Sequence, residues 1–319
     1  HPDYDSWWQQ RSALNATHDI RPAILMVGGL FDAEDLYGTW NIYRAIRQNN
    51  PQTDCRIVMG PWTHGAWRSN GDANAVGHIR FSEESLSQFY RHQVEFPFFD
   101  HYLRDAEHSG ATTTGALIFF SGENCWREME GWDPENQSRP HTLYLAEGGS
   151  LTTAPSDISE AYSFYTSDPN DPVPYYPDMP WPRRKEYMTV GQEFLDGRHD
   201  VLTFLSPRLE NDMAVIGPID VTLHAAISTT DADFVVKIID VGPDGEYEMM
   251  VRGDIMRGRY RNGFSSPEAF TPGKVERITL TLPDVAHTFM AGHRIKVQIQ
   301  STWFPLFDRN PQQMIDTYT

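Results

Sequence analysis

Two short segments hold the residue types and spacings that could do chemistry. In Val27-Gly28-Gly29-Leu30-Phe31-Asp32-Ala33-Glu34-Asp35 an acid follows directly on an apolar run, with two more carboxylates close behind. In Gly60-Pro61-Trp62-Thr63-His64-Gly65 a histidine follows another such run. An acid and then a histidine, each just past a buried strand, is the arrangement of a carboxylate that orients an imidazole used as a general base. Such a base has to be neutral at working pH, so its pKa should sit near the reference value of about 6.5. The plainer assignment makes Asp32 a helix N-cap, Glu34 and Asp35 first-turn acids, and His64 a turn residue. One at a time, each plain assignment is adequate. Together, in this order and at these strand ends, the residues favour the acid–base pair.

The elements that must position this pair are legible in the first hundred residues. Pro22 to Gly29 is a continuous apolar run ending in glycines, and Cys55 to Pro61 is a second, both as expected of strands buried on two faces. Leu36, Trp40, Tyr43 and Ile46 between them keep helical spacing. An aromatic stretch from Tyr4 to Ala13 and a long segment from Ser82 to Arg104 also read as helices, the second with Phe89, Phe96, Phe99 and Leu103 on one side and a kink at Pro97. This β-α-β-α order predicts a parallel sheet wrapped by helices, whose carboxyl edge is where sites are built. After Asp105 helical periodicity disappears. Ile278, Leu280 and Leu282 alternate with Thr279 and Thr281, and Ile295, Val297 and Ile299 with Arg294, Lys296, Gln298 and Gln300. Period two of this kind predicts sheets with one dry and one wet face, a sandwich or jelly roll. The fold class is therefore α/β plus all-β, with one unit over residues 1–105 and a β-sandwich over 106–319. Ser167 to Arg184, rich in Pro and Asp, reads as a long ordered loop that is either functional or draped over another surface.

Composition narrows the partners. With 44 Asp and Glu against 26 Lys and Arg, the net charge of -18 repels phosphate backbones and anionic headgroups, so neither nucleic acid nor a membrane surface is expected as a partner. The same charge serves solubility, and it is also compatible with cationic substrates. No apolar run approaches the roughly 18 residues needed to cross a bilayer. The 2 cysteines, Cys55 and Cys125, make no disulfide framework, and His78, His92 and His101 have no ligand spacing with neighbouring carboxylates, so no metal or other cofactor is expected.

No serine here has glycine both two residues before and two after it: Ser150 has Gly148 but Thr152, and Ser69 has Gly71 but Trp67. A nucleophile elbow for the pair, with its oxyanion hole, is therefore expected on a hydrolase half upstream of His1, and the chain by itself is expected to be inactive.

Gly28-Gly29-Leu30-Phe31-Asp32 followed by Gly60-Pro61-Trp62-Thr63-His64-Gly65 resembles the acid and histidine motifs of the CocE/NonD α/β-hydrolases, relatives of the X-prolyl dipeptidyl peptidases. Asp32-x-Glu34-Asp35 narrows the resemblance to the α-amino acid ester hydrolases, some of which are called glutaryl acylases. It extends through Ser121-Gly122-Glu123-Asn124-Cys125-Trp126-Arg127, Asp231-Ala232-Asp233-Phe234 and Trp303-Phe304-Pro305, so nearly the whole chain is covered. The resemblance implies a Ser-His-Asp hydrolase with Asp32 and His64 catalytic, Glu34 and Asp35 gripping a substrate α-ammonium group, and a periplasmic or secreted location. On the residues alone, three carboxylates within four positions repel one another and a cation would relieve that repulsion, with ordinary helix-start acids an equal reading that the resemblance sets aside. Trp62, with Trp67, is a candidate for an aryl-binding wall, packing being its plainer role.

The expected substrates are small α-amino acid esters, β-lactam amides or short peptides, and a homo-oligomer is expected. The alternatives are an X-prolyl aminopeptidase, a general carboxylesterase, or, outside catalysis, a carbohydrate- or protein-binding jelly roll with exposed aromatics on a concave sheet face and no pocket at Asp32.

Overall fold

The computed structural model describes residues 3–104, 107, 115–158, 161–179 and 182–315. Helix α1 (Ser6–Gln9) is shorter than the aromatic stretch suggested. The Asp5 side chain caps it by accepting from the amides of Trp7 and Trp8, and a 3-10 turn follows at Ala13–Ala16. Strand β1 (Ile24–Gly29), helix α2 (Leu36–Asn49) and strand β2 (Cys55–Gly60) form the expected β-α-β unit. The two strands pair in parallel from Ile24 against Cys55 to Gly29 against Gly60. Helix α2 buries Leu36, Trp40, Tyr43 and Ile46, the stripe its spacing predicts. β2 is buried along its whole length, whereas β1, at the edge of its sheet among the described residues, is only half-buried up to Val27.

A small hairpin, β3 (Ala75–Val76) with β4 (Ile79–Arg80), leads to a helical segment in three pieces. Helix α3 (Leu86–Phe89) passes into a π-helical stretch, Tyr90–Glu95, before α4 (Phe96–Arg104). The π turn sits just ahead of Pro97, whose ring excludes a regular α-helical bond to the preceding turn. The extra residue also rotates the apolar face, so that Phe98 is buried while Phe96, Phe99 and Leu103 are exposed, contrary to the expected side.

Two further strands join the first sheet. β5 (Ala116–Phe120) runs parallel to β2, and β6 (Cys125–Met129) runs antiparallel to β5, giving the order β1-β2-β5-β6. The change of sequence texture near residue 105 therefore falls within this sheet rather than after it. Short α5 (Pro134–Gln137) follows.

The rest is a β-sandwich. Strands β7 (Tyr144–Ala146), β8 (Ser150–Thr152), β9 (Leu202–Leu205), β10 (Met213–Ala225), β11 (Asp233–Val241), β12 (Glu248–Arg257), β13 (Glu276–Phe289) and β14 (Arg294–Gln300) form a 6-stranded sheet, β12-β11-β14-β9-β8-β7, and a pair, β10-β13. Alternation holds in β13, where Ile278, Leu280 and Leu282 are buried and their neighbours are not. It fails in β14, because the expected wet face is covered and Lys296, Gln298 and Gln300 are all buried. Polar partners offset that burial in part: Gln300 Nε2 donates to the Thr302 carbonyl at 2.6 Å, while the Gln298 amide is buried without a hydrogen bond. Lys296 is ion-paired to Glu248, and Lys237 on the adjacent strand donates to Gln192 Oε1 at 2.6 Å.

The two parts are stitched together by backbone. At the end of β5, Ser121 N donates to the Ala286 carbonyl at 3.1 Å, and Thr288 N donates back to the Ser121 carbonyl at 2.8 Å.

Candidate active site

β1 and β2 end side by side, and their loops stay paired beyond the strands. Leu30 N donates to the Gly60 carbonyl at 2.8 Å and Phe31 N to the Trp62 carbonyl at 3.1 Å. Glycine at position 29 is what allows this approach, since a Cβ there would collide with the carbonyl of Trp62. The paired loops bring Asp32 and His64 to the same sheet edge.

Asp32 is buried, at 3% exposure, and each of its oxygens has its own task. Oδ1 accepts from the amides of Glu34 at 2.8 Å and Asp35 at 3.1 Å, which fixes the carboxylate plane. Oδ2 is thereby aimed at Nδ1 of His64, 3.0 Å away. The plain capping assignment does not hold, because α2 starts at Leu36 with Asp35 at its N-cap and no acid in its first turn; Asp32 closes the turn ahead of the helix instead. His64 stands on a turn closed by Gly65, whose φ of +68° suits glycine. Its side chain is 43% exposed. With Nδ1–H donating to Asp32 Oδ2, the Nε2 lone pair is left facing outward. The hydrogen bond His64 donates to Asp32, and then the charge of Asp32, raise the histidine's pKa above the ordinary value. Slight desolvation opposes this, and the charges of Glu34 and Asp35 add to it.

Asp35 is the N-cap of α2 by position, yet its side chain makes no cap bond. Its carboxylate lies 3.8 Å from His64 Nδ1, and Glu34 Oε2 lies 3.9 Å from Nε2. Three carboxylates therefore surround one imidazole.

Trp62 does not join them. Its ring is 1% exposed and packs against Trp67, Tyr90 and Trp126 at centroid distances of 6.0, 5.9 and 5.7 Å, so it belongs to the core beneath the loop rather than to a binding wall. The expected aryl-binding role gives way here to apolar packing.

Two arginines from the sandwich reach the site, and neither was singled out in the sequence. Arg183 places Nη2 3.2 Å from Glu34 Oε1 and Nη1 3.5 Å from the Ala33 carbonyl. It rides on the proline-rich loop already marked as functional or draped. That loop is pinned to the sandwich by Tyr175 N donating to the Phe304 carbonyl and Phe304 N donating to the Val173 carbonyl, and Arg184 N donates within the loop to the Tyr175 hydroxyl. Arg252, on β12, is buried and donates from Nη1 to the Leu30 carbonyl and from Nη2 to the Asp284 carbonyl, both at 2.9 Å. Desolvation lowers its pKa to about 10. An arginine inside a strand pattern carries no local signal of this contact, which only the packing of sandwich on sheet creates.

A second serine–histidine–aspartate line exists. Ser121 Oγ is 2.9 Å from His287 Nδ1, His287 Nε2 is 3.3 Å from Asp240, and Asp240 also takes His293 Nδ1 at 2.8 Å. The ring is turned the opposite way from the Asp32–His64 pair. Ser121, His287 and Asp240 are at most 3% exposed, so no substrate carbonyl can reach that hydroxyl. It is a buried polar link between sheet and sandwich.

The profile of the X-Pro dipeptidyl-peptidase C-terminal non-catalytic domain matches residues 102–319, and that of X-Pro dipeptidyl-peptidase (S15 family) matches residues 1–66. The chain is similar to cocaine esterase of Rhodococcus sp. (strain MB1 Bresler), with 28% identity over 97% of this chain and 54% of that protein. Among solved structures it is similar to an aminopeptidase from a marine sediment Thaumarchaeota archaeon, with 38% identity and a TM-score of 0.92 over 99% of this chain and 54% of that one. An α-amino acid ester hydrolase gives 35% identity and a TM-score of 0.90 over the same shares. The chain thus spans about half the length of these relatives.

Proposed function

Because the chain belongs to the X-Pro dipeptidyl-peptidase and CocE/NonD family of serine hydrolases, we propose that it supplies the acid and base of a Ser-His-Asp triad acting on α-amino acid esters and amides. The nucleophilic serine and oxyanion donors are proposed to lie on sequence preceding this chain. One observation carries the proposal: Asp32, clamped by two backbone amides, orients His64 through a 3.0 Å hydrogen bond and leaves Nε2 outward.

In this mechanism Nε2 takes the serine proton as the hydroxyl oxygen attacks the acyl carbon, and Asp32 stabilises the imidazolium that forms. The same proton passes to the leaving alcohol or amine as the acyl–oxygen or acyl–nitrogen bond breaks. Water then repeats the sequence on the acyl-enzyme. Glu34 and Asp35 hold the substrate's α-ammonium group beside the reacting centre by charge-assisted hydrogen bonds.

A second reading, an aminopeptidase, is favoured by the 38% identity to the archaeal aminopeptidase. The two share ammonium recognition and differ in the leaving group.

The test uses the full-length protein. A fluorophosphonate should label one serine, and His64→Gln or Asp32→Asn should lower kcat for an activated amino acid ester by roughly three to four orders of magnitude. Turnover within tenfold of wild type in either variant would remove the triad assignment. Ester and p-nitroanilide substrates with the same acyl group then separate the two readings.

A further inference from the structure

The reading of Glu34 and Asp35 as ammonium ligands leaves the pairing of Glu34 with Arg183 unexplained. We infer that Arg183 is a built-in rival of the substrate's ammonium group, occupying Glu34 in the free site and setting how strongly cationic substrates bind. The inference rests on that reading and deepens it.

The carboxylates are not equivalent. Asp32 is fully engaged, with Oδ1 on two amides and Oδ2 on His64. Asp35 is 69% exposed on its side chain and makes no cap bond. Glu34 has Oε1 on the guanidinium, while Oε2 lies 3.9 Å from His64 Nε2. An ammonium entering beside Nε2 therefore finds Asp35 open and Glu34 already taken by a cation.

The rival comes from another part of the chain. Arg183 belongs to the loop tied to the sandwich, so its position does not depend on the turn that carries the acids. The Ala33 carbonyl gives the guanidinium a second, neutral contact. With side chains 34% and 49% exposed, the pair is solvated and weak enough for a ligand to displace. A carboxylate can accept from two donors at once, but two cations on one carboxylate repel, so each ligand binds at the other's expense.

The groups facing His64 are Asp32, Glu34 and Asp35 from the loop before α2. Arg183 faces it across Glu34, and the buried Tyr187 hydroxyl lies in the field of Asp32 and Arg183. Removing the guanidinium leaves the histidine among carboxylates alone, which favours its protonated form.

The test compares the full-length wild type with Arg183→Gln, which keeps a donor for the Ala33 carbonyl, and Arg183→Lys, which keeps the charge; thermal melting verifies the fold of each. The substrates are an α-amino acid ester and its des-amino counterpart. Arg183→Gln should lower KM for the amino ester about two- to fivefold, leave KM for the des-amino ester unchanged, and move the acid limb of the kcat/KM profile to higher pH. Arg183→Lys should return the amino-ester KM and the acid limb toward wild type. If the wild type favours the amino ester but Arg183→Gln leaves its KM unchanged or raises it, the rivalry is overturned and the ammonium reading stands. If the wild type does not distinguish the two esters, both fall.

Discussion

The guanidinium of Arg252, buried in the sandwich, holds the carbonyl of Leu30 at 2.9 Å, just ahead of Asp32. The acid of the proposed triad is thus steadied by a strand outside its own sheet. Its amides and Arg252 fix opposite ends of one short segment.

Arg252→Met should therefore damage both stability and chemistry. The buried carbonyls of Leu30 and Asp284 would lose their donor, at about 1–3 kcal/mol each, and Asp32 would lose its register. Thermal melting of the full-length protein should show a drop of several degrees, with kcat falling more than KM changes. An unchanged kcat in a folded variant would mean that Arg252 serves the fold alone.

The pH profile follows from His64. Its pKa is raised, chiefly by the hydrogen bond it donates to Asp32, and the proposed base works only when neutral. Activity should therefore rise through a midpoint above the reference of about 6.5. In Asp32→Asn the histidine should titrate lower, as followed by imidazole proton shifts. The sign for stability is the reverse of that for activity. A raised folded pKa stabilises the fold below the unfolded value, and the benefit is lost as pH rises through the folded one. His64 is exposed, so this contribution is small.

Replacing Glu34 and Asp35 together by Gln and Asn keeps size and removes charge. For an α-amino ester, kcat/KM should fall roughly tenfold or more per lost interaction, while a des-amino ester is spared. Equal loss on both substrates would assign the acids to the loop's structure.

Gly29→Ala would drive a Cβ into the carbonyl of Trp62. Separating the paired loops should cost about 1–3 kcal/mol and lengthen the Asp32–His64 hydrogen bond. Unaltered melting and activity would contradict the close approach.

Lys237 offers a test within the sandwich. It is completely buried, with Gln192 and the face of Trp303 around its amine, and desolvation puts its pKa well below the ordinary value. Burial disfavours the charged form, so the folded state binds this proton less tightly than the unfolded state does. Between the lowered folded pKa and the unfolded value of about 10.4, stability should rise with pH by up to about 1.4 kcal/mol per unit. Against Lys237→Met, the wild type should gain in melting temperature from pH 7 to pH 10. A constant difference would mean that the buried amine is charged.

Much of this was readable in the residues themselves. The glycine-terminated apolar runs predict β1 and β2, and the stripe from Leu36 to Ile46 predicts α2, because both patterns are local. Asp32 and His64 meet because parallel strands in register carry their ends to one edge. What escaped is non-local. Trp62 stands inside the motif yet points into the core. Lys296, Gln298 and Gln300 alternate as a wet face should, but the strand is covered, and of the three only Lys296 meets a charged partner brought from another strand, Glu248. Arg183 and Arg252 lie far along the chain from the loops they touch, and no periodicity announces such contacts.

The seam at Ser121, where the end of β5 exchanges backbone hydrogen bonds with β13, bears on how such chains are inherited. A lineage could not exchange one part for a distant cousin's without also matching the opposite lip, the arginine that reaches Leu30 and the loop that carries Arg183. The sandwich would then diverge in step with the hydrolase rather than travel as a loose attachment, and chimaeras joined near residue 105 should express poorly unless both lips come from one parent.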